Sequence, residues 1–330
     1  MPPAFSCVGP GAKCISIVFH ESYAGVLTGG SSDFFLHYSP AGAEVYTPAI
    51  RQMDMQGGCT YNPGKGIPGV WYLVELDERV ISRAIIAVQM EKMLRYTDMD
   101  VAIVGGGPAG LTAAAFLGAE GFSVALIEKR LSVGGGMWGG GMMFPRIVVQ
   151  EEGRQLLDHF AIRSTRYEEG YYVASSVEAV AKLTAAACDA GVEFFTLVTV
   201  EDVMVRSDKR LSGLVITWSP VEMAGLHVDP LTLGCRYTID ATGHDAVIAR
   251  LVARKSGAVT VKGEGFMWAD RAESRITSHT REVFPGLIVA GMAANAVAGE
   301  NRMGPVFGGM LLSGRHAAAL VSRELAACEP

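Results

Sequence analysis

The chain has 330 residues, with 34 acidic and 28 basic side chains and a net charge of −6. That balance excludes a basic nucleic-acid face and a polybasic membrane patch, and no apolar run reaches the ~20 residues needed to span a bilayer. Hydrophobic residues make up 49% and glycines number 40, which suits an α/β protein with many tight turns.

Residues 1–74 are rich in Gly, Pro and Ser, carry few charges and have no sustained period. They read as a poorly ordered N-terminal extension, with a small packed subdomain as the alternative. A helix is expected from about Asp77 to Leu94. "MDVAIV" is a buried strand, "GGGPAG" turns into the helix "PAGLTAAAFLGAEG", and "FSVALI" is the next strand, ending at Glu128. This is a βαβ unit of the expected ~30 residues. A second glycine-rich loop, "SVGGGMWGGGMMF", follows. Helices are expected at about Gln150–Phe160 and from Ser175 or Ser176, where Ser175 and Glu178 have capping-box spacing. "EFFTLV", "VEDVMV" and "LSGLVITW" read as strands, the last two joined by a turn at "SDKR". "RYTIDATG" and "FPGLIVAG" are strands ending in glycine turns, and "GGMLLSGRHAAALVSRELAA" is a closing helix. The six cysteines Cys7, Cys14, Cys59, Cys188, Cys235 and Cys328 contain no C-x-x-C pair, so a zinc ribbon or thioredoxin-type motif is unsupported. Scattered thiols and the absence of a basic-then-apolar leader point to a reduced, cytoplasmic setting.

Gly105, Gly107 and Gly110 match G-x-G-x-x-G, with a strand before, a helix after and an acid closing the second strand. The glycines let backbone N–H groups approach a pyrophosphate at a helix N-terminus. Glu128 is set to accept hydrogen bonds from adenosine ribose hydroxyls. The motif does not choose between NAD and FAD. Flavoproteins usually put an acid after the late strand that closes the site; here "GLIVAGMAA" carries Met292 instead, which argues against a conventional FAD site.

His227 and Asp229 alternate on a segment that reads as strand-like, and His244 follows the strand "YTIDATG" at a glycine turn. An imidazole and a carboxylate suit a divalent ion such as Fe(II). Proton transfer remains open on this spacing, and a lone His in H-x-D is more often a hydrogen-bonded surface or core residue. Arg302, between two glycine-rich turns, can clamp a carboxylate bidentately or form a surface ion pair. Trp138, Tyr171 and Tyr172 read as packing residues.

Taken together, "DERVISRAII", "DVAIVGGGPAGL", "LSVGGGMWGGGMMF", "EEGYYVA", "VEDVMV", "VEMAGLHVDPLT", "DATGHDA", "VAGMAANAV" and "RMGPVFGGMLLSG" resemble the thiamine thiazole synthase family over about residues 75–326. The resemblance implies a flavoprotein-like, Rossmann-type fold that does not use flavin for redox chemistry. Residues 75–330 would form the synthase domain. Its dinucleotide core would take 98–140 and 236–327, with a β-rich substrate region, 141–235, inserted. It implies a transferase that makes an adenylated thiazole carboxylate from NAD, glycine and a sulfur source, working as a homo-octamer. One branch of the family spends a cysteine in the segment before its Asp-Pro as sulfur donor. This chain has His227 there, and so resembles the branch that takes sulfide and turns over repeatedly with Fe(II), consuming NAD as a substrate.

The same resemblance implies roles by position. Ala109 lies in the dinucleotide loop, Glu128 and Lys129 at the adenosine ribose, Gly136 in the second glycine loop and Val200 on the adenine side. His227, Val228 and Asp229 face the substrate-derived part, His227 as the catalytic or orienting group. Asp229 and His244 are the iron ligands, drawn from adjacent subunits. Met292 contacts the nucleotide and Arg302 holds the glycine carboxylate. An FAD-dependent oxidoreductase and a ribose-1,5-bisphosphate isomerase are the alternatives on the same fold.

Overall fold

A computed structural model describes residues 50–53, 59–62 and 76–327; most of the extension expected over 1–74 therefore lies outside the described residues. The chain divides into two units, Met1–Ser82 and Arg83–Pro330. In the first, β1 (Ile50–Met53) and β2 (Cys59–Asn62) pair antiparallel. Helix α1 (Glu78–Arg95) starts at Asp77, whose Oδ1 accepts the Arg79 amide at 2.8 Å. No α1 residue is buried, although Ile85, Ile86 and Leu94 are large and apolar.

The second unit is a Rossmann-type α/β fold built outward from β3 (Asp98–Val104). Successive β3 side chains serve opposite faces of the sheet. Val101 and Ile103 join one core cluster with Leu111 and Leu126, while Ala102 and Val104 join another with Ile127 and Val200. The helix α2 (Pro108–Ala119) carries β3 over to β4 (Val124–Glu128). Pro108 sits in its first turn, where a missing N–H costs nothing.

The parallel part of the main sheet has the order β13–β11–β3–β4–β8, with β8 at Glu193–Thr196, β11 at Leu231–Asp240 and β13 at Leu287–Val289. β12 (Arg281–Phe284) pairs antiparallel with β13. β9 (Val198–Val205) and β10 (Leu211–Trp218) form a hairpin whose second strand pairs with the start of β11. The chain order reverses between β3 and β11, so the ligand crevice of this sheet lies beyond their C-terminal ends.

The inserted region adds an antiparallel sheet of order β5–β7–β6, with β5 at Arg146–Val149, β6 at Ser164–Glu168 and β7 at Tyr171–Ser175. Helix α3 (Glu151–His159) lies between β5 and β6 in sequence, and α4 (Ser176–Asp189) follows β7. Ser175 caps α4 as expected, its Oγ accepting the Glu178 amide at 3.4 Å. The return arm of the box is not made; the Glu178 carboxylate binds Arg163 and Lys182 instead. Four helices complete the described chain after α5 (Ser219–Met223): α6 (Val247–Ser256), α7 (Ala269–His279), α8 (Met292–Ala298) and α9 (Gly308–Ala326). Among the described residues no helix is long and apolar enough to cross a membrane.

Candidate functional site

The dinucleotide loop leaves the end of β3 and packs directly on the turn that leaves the end of β11. The Ala241 N–H donates to the Val104 carbonyl at 2.8 Å, and the Gly105 N–H donates to the Ile127 carbonyl at 2.8 Å. Gly105 has φ +102, and a Cβ there would lie 2.4 Å from the Ala241 carbonyl oxygen. A Cβ on Gly110 would lie 2.0 Å from the Gly105 carbonyl oxygen. Only glycine satisfies both contacts, so the loop curls tightly over the N-terminus of α2, whose first amides lack helical partners.

Glu128, expected at the adenosine ribose, contacts the glycine loop in the structure. It is 6% exposed; its Oε2 accepts the Gly106 N–H at 2.8 Å and its Oε1 the Arg130 N–H at 2.9 Å. The carboxylate thus braces the glycine loop itself, and the adjacent Lys129 is exposed. The second glycine loop docks on the first, with the Gly134 N–H donating to the Gly106 carbonyl at 2.6 Å. Gly136 is exposed in the 3-10 turn Gly135–Gly139 that follows. Trp138, an exposed side chain, donates its indole N–H to the Val133 carbonyl at 2.7 Å. Met292 opens α8 beside the same loop: a Cβ on the preceding Gly291 would lie 2.8 Å from that of Ala109. Val200 is buried in β9, within the core on one sheet face.

His244 lies in the 3-10 turn Gly243–Asp245 after β11. Asp240, fully buried at the end of that strand, fixes this turn. Its Oδ1 accepts the Thr242 hydroxyl at 2.6 Å and amide at 3.1 Å, and its Oδ2 accepts the Ala249 amide at 2.9 Å. Burial raises the Asp240 pKa, against those hydrogen bonds, which lower it. The His244 ring, 55% exposed, places Nδ1 2.6 and 2.8 Å from the two carboxylate oxygens of Glu264. The same Glu264 Oε2 lies 3.7 Å from Nε of Arg302. Two residues expected at the site thus meet through a third that the sequence did not single out.

The other expected half lies elsewhere in the chain. The segment "VEMAGLHVDP" is not strand-like, contrary to expectation. Pro220 favours the first turn of α5, Gly225 at φ 62 follows the helix, and residues 226–230 form an exposed loop that contains His227, Val228 and Asp229. Pro230 has no N–H to give a ladder, and pairing with β10 begins at Leu231. The ten residues of β11 then separate this loop from His244; at ~3.3 Å per residue the two ends are about 30 Å apart. Among the described residues no group of three or more His, Cys, Asp or Glu side chains gathers as a metal cluster.

With Nδ1 of His244 engaged by Glu264, Nε2 is the ring's remaining ligand atom, and imidazole with carboxylate is a donor set that Fe(II) accepts. One chain alone does not bring Asp229 to it.

The Thi4 family model matches residues 82–307. A thiamine thiazole synthase of Methanoculleus marisnigri is 69% identical over 250 residues, covering 76% of this chain and 98% of that protein. The thiamine thiazole synthase of Pyrococcus horikoshii is 50% identical over 250 residues, covering 76% and 99%. The crystal structure of Thermovibrio ammonificans THI4 matches with TM-score 0.75 and 47% identity, over 77% of this chain and 100% of that one. Matches of this extent, on a fold whose glycine loop and His244 turn meet at the sheet's crevice, establish that the chain belongs to the Thi4 family, that of the thiamine thiazole synthases.

Proposed function

We propose that the chain is a thiamine thiazole synthase of the sulfide-using kind, which makes an adenylated thiazole carboxylate from NAD, glycine and sulfide with Fe(II), over many turnovers. The observation that carries the sulfur assignment is His227, in the exposed loop before Asp229 and Pro230. Cys235, the nearest cysteine in sequence, is no substitute donor: burial pushes its thiol up to about 11, and a protonated, buried thiol is a poor nucleophile.

In this reading NAD is a substrate. Its pyrophosphate sits on the amides at the start of α2, near Ala109, and its adenosine ribose lies by Glu128 and Lys129. Gly136, Val200 and Met292 complete the nucleotide's surroundings. Nicotinamide leaves, the glycine nitrogen and the sulfide sulfur enter the ring, and water is lost. Arg302 pairs with the glycine carboxylate and holds the amine toward the sugar-derived carbon. His244 and Asp229 of a second copy hold Fe(II), which when bound supplies a template and Lewis acid for the sulfur-accepting chain. His227, on the same loop as Asp229 and Val228, orients the substrate-derived part or moves a proton through its imidazole.

The second copy is argued from the surface as well as from the length of β11. Met142, Met143 and Phe144, Met223, Leu226 and Leu231, and Phe266, Met267 and Trp268 are exposed. They flank the second glycine loop, the His227 loop and the segment after Glu264. Large apolar groups left exposed in each of these segments are surface of the kind that association covers, here in a homo-oligomer, with an octamer expected.

Anaerobic incubation of the purified chain with NAD, glycine, Fe(II) and sulfide, followed by mass analysis, tests the reading. Adenylated thiazole carboxylate in molar excess over enzyme is expected. No thiazole, or no more than one equivalent, overturns it.

A further inference from the structure

Glu264 is the structural link between His244 and Arg302, and its backbone is held closely. Its side chain is 12% exposed, against 55% for both His244 and Arg302. The segment that carries it runs beside residues 300–302 and is tied to them repeatedly. The Gly265 N–H donates to the Glu300 carbonyl at 2.9 Å, the Arg302 N–H to the Phe266 carbonyl at 3.2 Å, and the Trp268 N–H to the Arg302 carbonyl at 3.1 Å. The Asn301 side chain donates to the Phe266 carbonyl at 2.6 Å. On the other flank the Gly263 N–H donates to the Ala296 carbonyl of α8 at 2.9 Å. The carboxylate is therefore mounted on a strap whose position is fixed from both sides.

We infer that Glu264 is a positioning residue for both His244 and Arg302. A carboxylate that receives the Nδ1 proton of a histidine fixes the ring's tautomer and rotation and leaves Nε2 as a more basic ligand atom. Both oxygens of Glu264 lie within hydrogen-bonding reach of Nδ1, so the ring has one favoured setting. The charge of the same group draws Nε of Arg302 to its Oε2 side. That contact leaves the two terminal nitrogens of the guanidinium for a substrate carboxylate, the bidentate face on which arginine recognition depends. One half-buried acid thus sets the metal-binding atom and the carboxylate clamp in a common frame. A role confined to folding would leave metal affinity and glycine affinity untouched in a variant that still folds.

This inference rests on the reading of His244 as a metal ligand and Arg302 as the glycine clamp, and the test separates the two. Glu264→Gln keeps shape and one acceptor, Glu264→Ala removes both, and His244→Ala removes the ring. Each is purified as the full chain. Fe(II) affinity is measured by anaerobic equilibrium dialysis, glycine KM and kcat by product formation, and NAD binding by thermal shift. Glu264→Ala is expected to weaken Fe(II) about 10- to 100-fold and to raise the glycine KM more than it lowers kcat, with Glu264→Gln intermediate and NAD binding unchanged in both. Fe(II) affinity and glycine KM within twofold of the parent in either Glu264 variant, while His244→Ala loses iron, overturns the inference. Parental iron affinity in His244→Ala overturns the underlying ligand assignment instead. If Glu264→Ala fails to bind NAD, the isosteric Glu264→Gln decides on the same criteria.

Discussion

The hydroxyl of Thr242 donates to Asp240 at 2.6 Å, and the amide of Val247 in turn donates to that hydroxyl at 2.7 Å. This short relay, with the Ala249 amide on the second oxygen of Asp240, joins the end of β11 to the start of α6 and frames the His244 turn between them. Asp240→Ala leaves the buried Ala249 amide and the part-buried Thr242 amide without their acceptor, at a cost of about 1–3 kcal/mol for the buried donor. The denaturant midpoint is expected to fall accordingly, with iron affinity lost alongside. A midpoint equal to the parent's would show that the relay is dispensable.

Two glycines of the dinucleotide motif separate fold from ligand. A Cβ on Gly110 would sit 2.0 Å from the Gly105 carbonyl oxygen, whereas one on Gly107 would meet nothing within 4 Å. Gly110→Ala is therefore expected to destabilise the chain and abolish NAD binding together. Gly107→Ala should keep the parent's melting temperature and lose NAD affinity alone, because the added methyl stands where a pyrophosphate approaches the loop. Calorimetry with and without NAD checks both; undiminished NAD affinity in Gly107→Ala would remove the pyrophosphate from this loop.

The parts of the site that were legible in the sequence rest on local rules. The strand–glycine–helix unit at 98–128, the Ser175 cap and the "SDKR" turn each follow from residues a few positions apart, and each is present. Glu264 was not legible. Its meaning comes from His244, 20 residues earlier, and Arg302, 38 residues later, and its own segment has neither helical nor strand period. The His227 loop was misread because H-x-D alternation imitates a strand. Proline and glycine on either side of it settle the matter, as Pro220, Gly225 and Pro230 do here.

Glu273 gives the fold a pH dependence of definite sign. It lies in α7 with one carboxyl oxygen accepting the Gly309 amide at 2.5 Å and the other buried without a partner among the described residues. Burial pushes its pKa up from 4.5 to about 7. The folded chain then holds a proton that the unfolded chain gives up between about 4.5 and 7, so this group's contribution to stability falls as pH rises through that window, by up to roughly 3 kcal/mol. Glu273→Gln keeps the shape without the charge. It should match the parent in urea unfolding at the acidic end of the window and exceed it above the upper end. A gap that is the same at both pH values would rule out titration of Glu273 as its source.

His227→Cys tests the sulfur assignment from the opposite side. The loop is exposed, so the exchange removes little packing and should leave stability within about 0.5 kcal/mol of the parent. A thiol there is solvent-accessible, unlike that of Cys235, and can reach the thiolate form that attacks carbon. With NAD, glycine and Fe(II) but no sulfide, the variant is expected to give at most one equivalent of thiazole. Each product molecule would leave a protein chain short of one sulfur at residue 227, its side chain converted to dehydroalanine. His227→Ala is expected to give none under the same conditions. Intact protein mass together with no thiazole would show that position 227 does not face the reacting carbon, and the role given to His227 would fall with it.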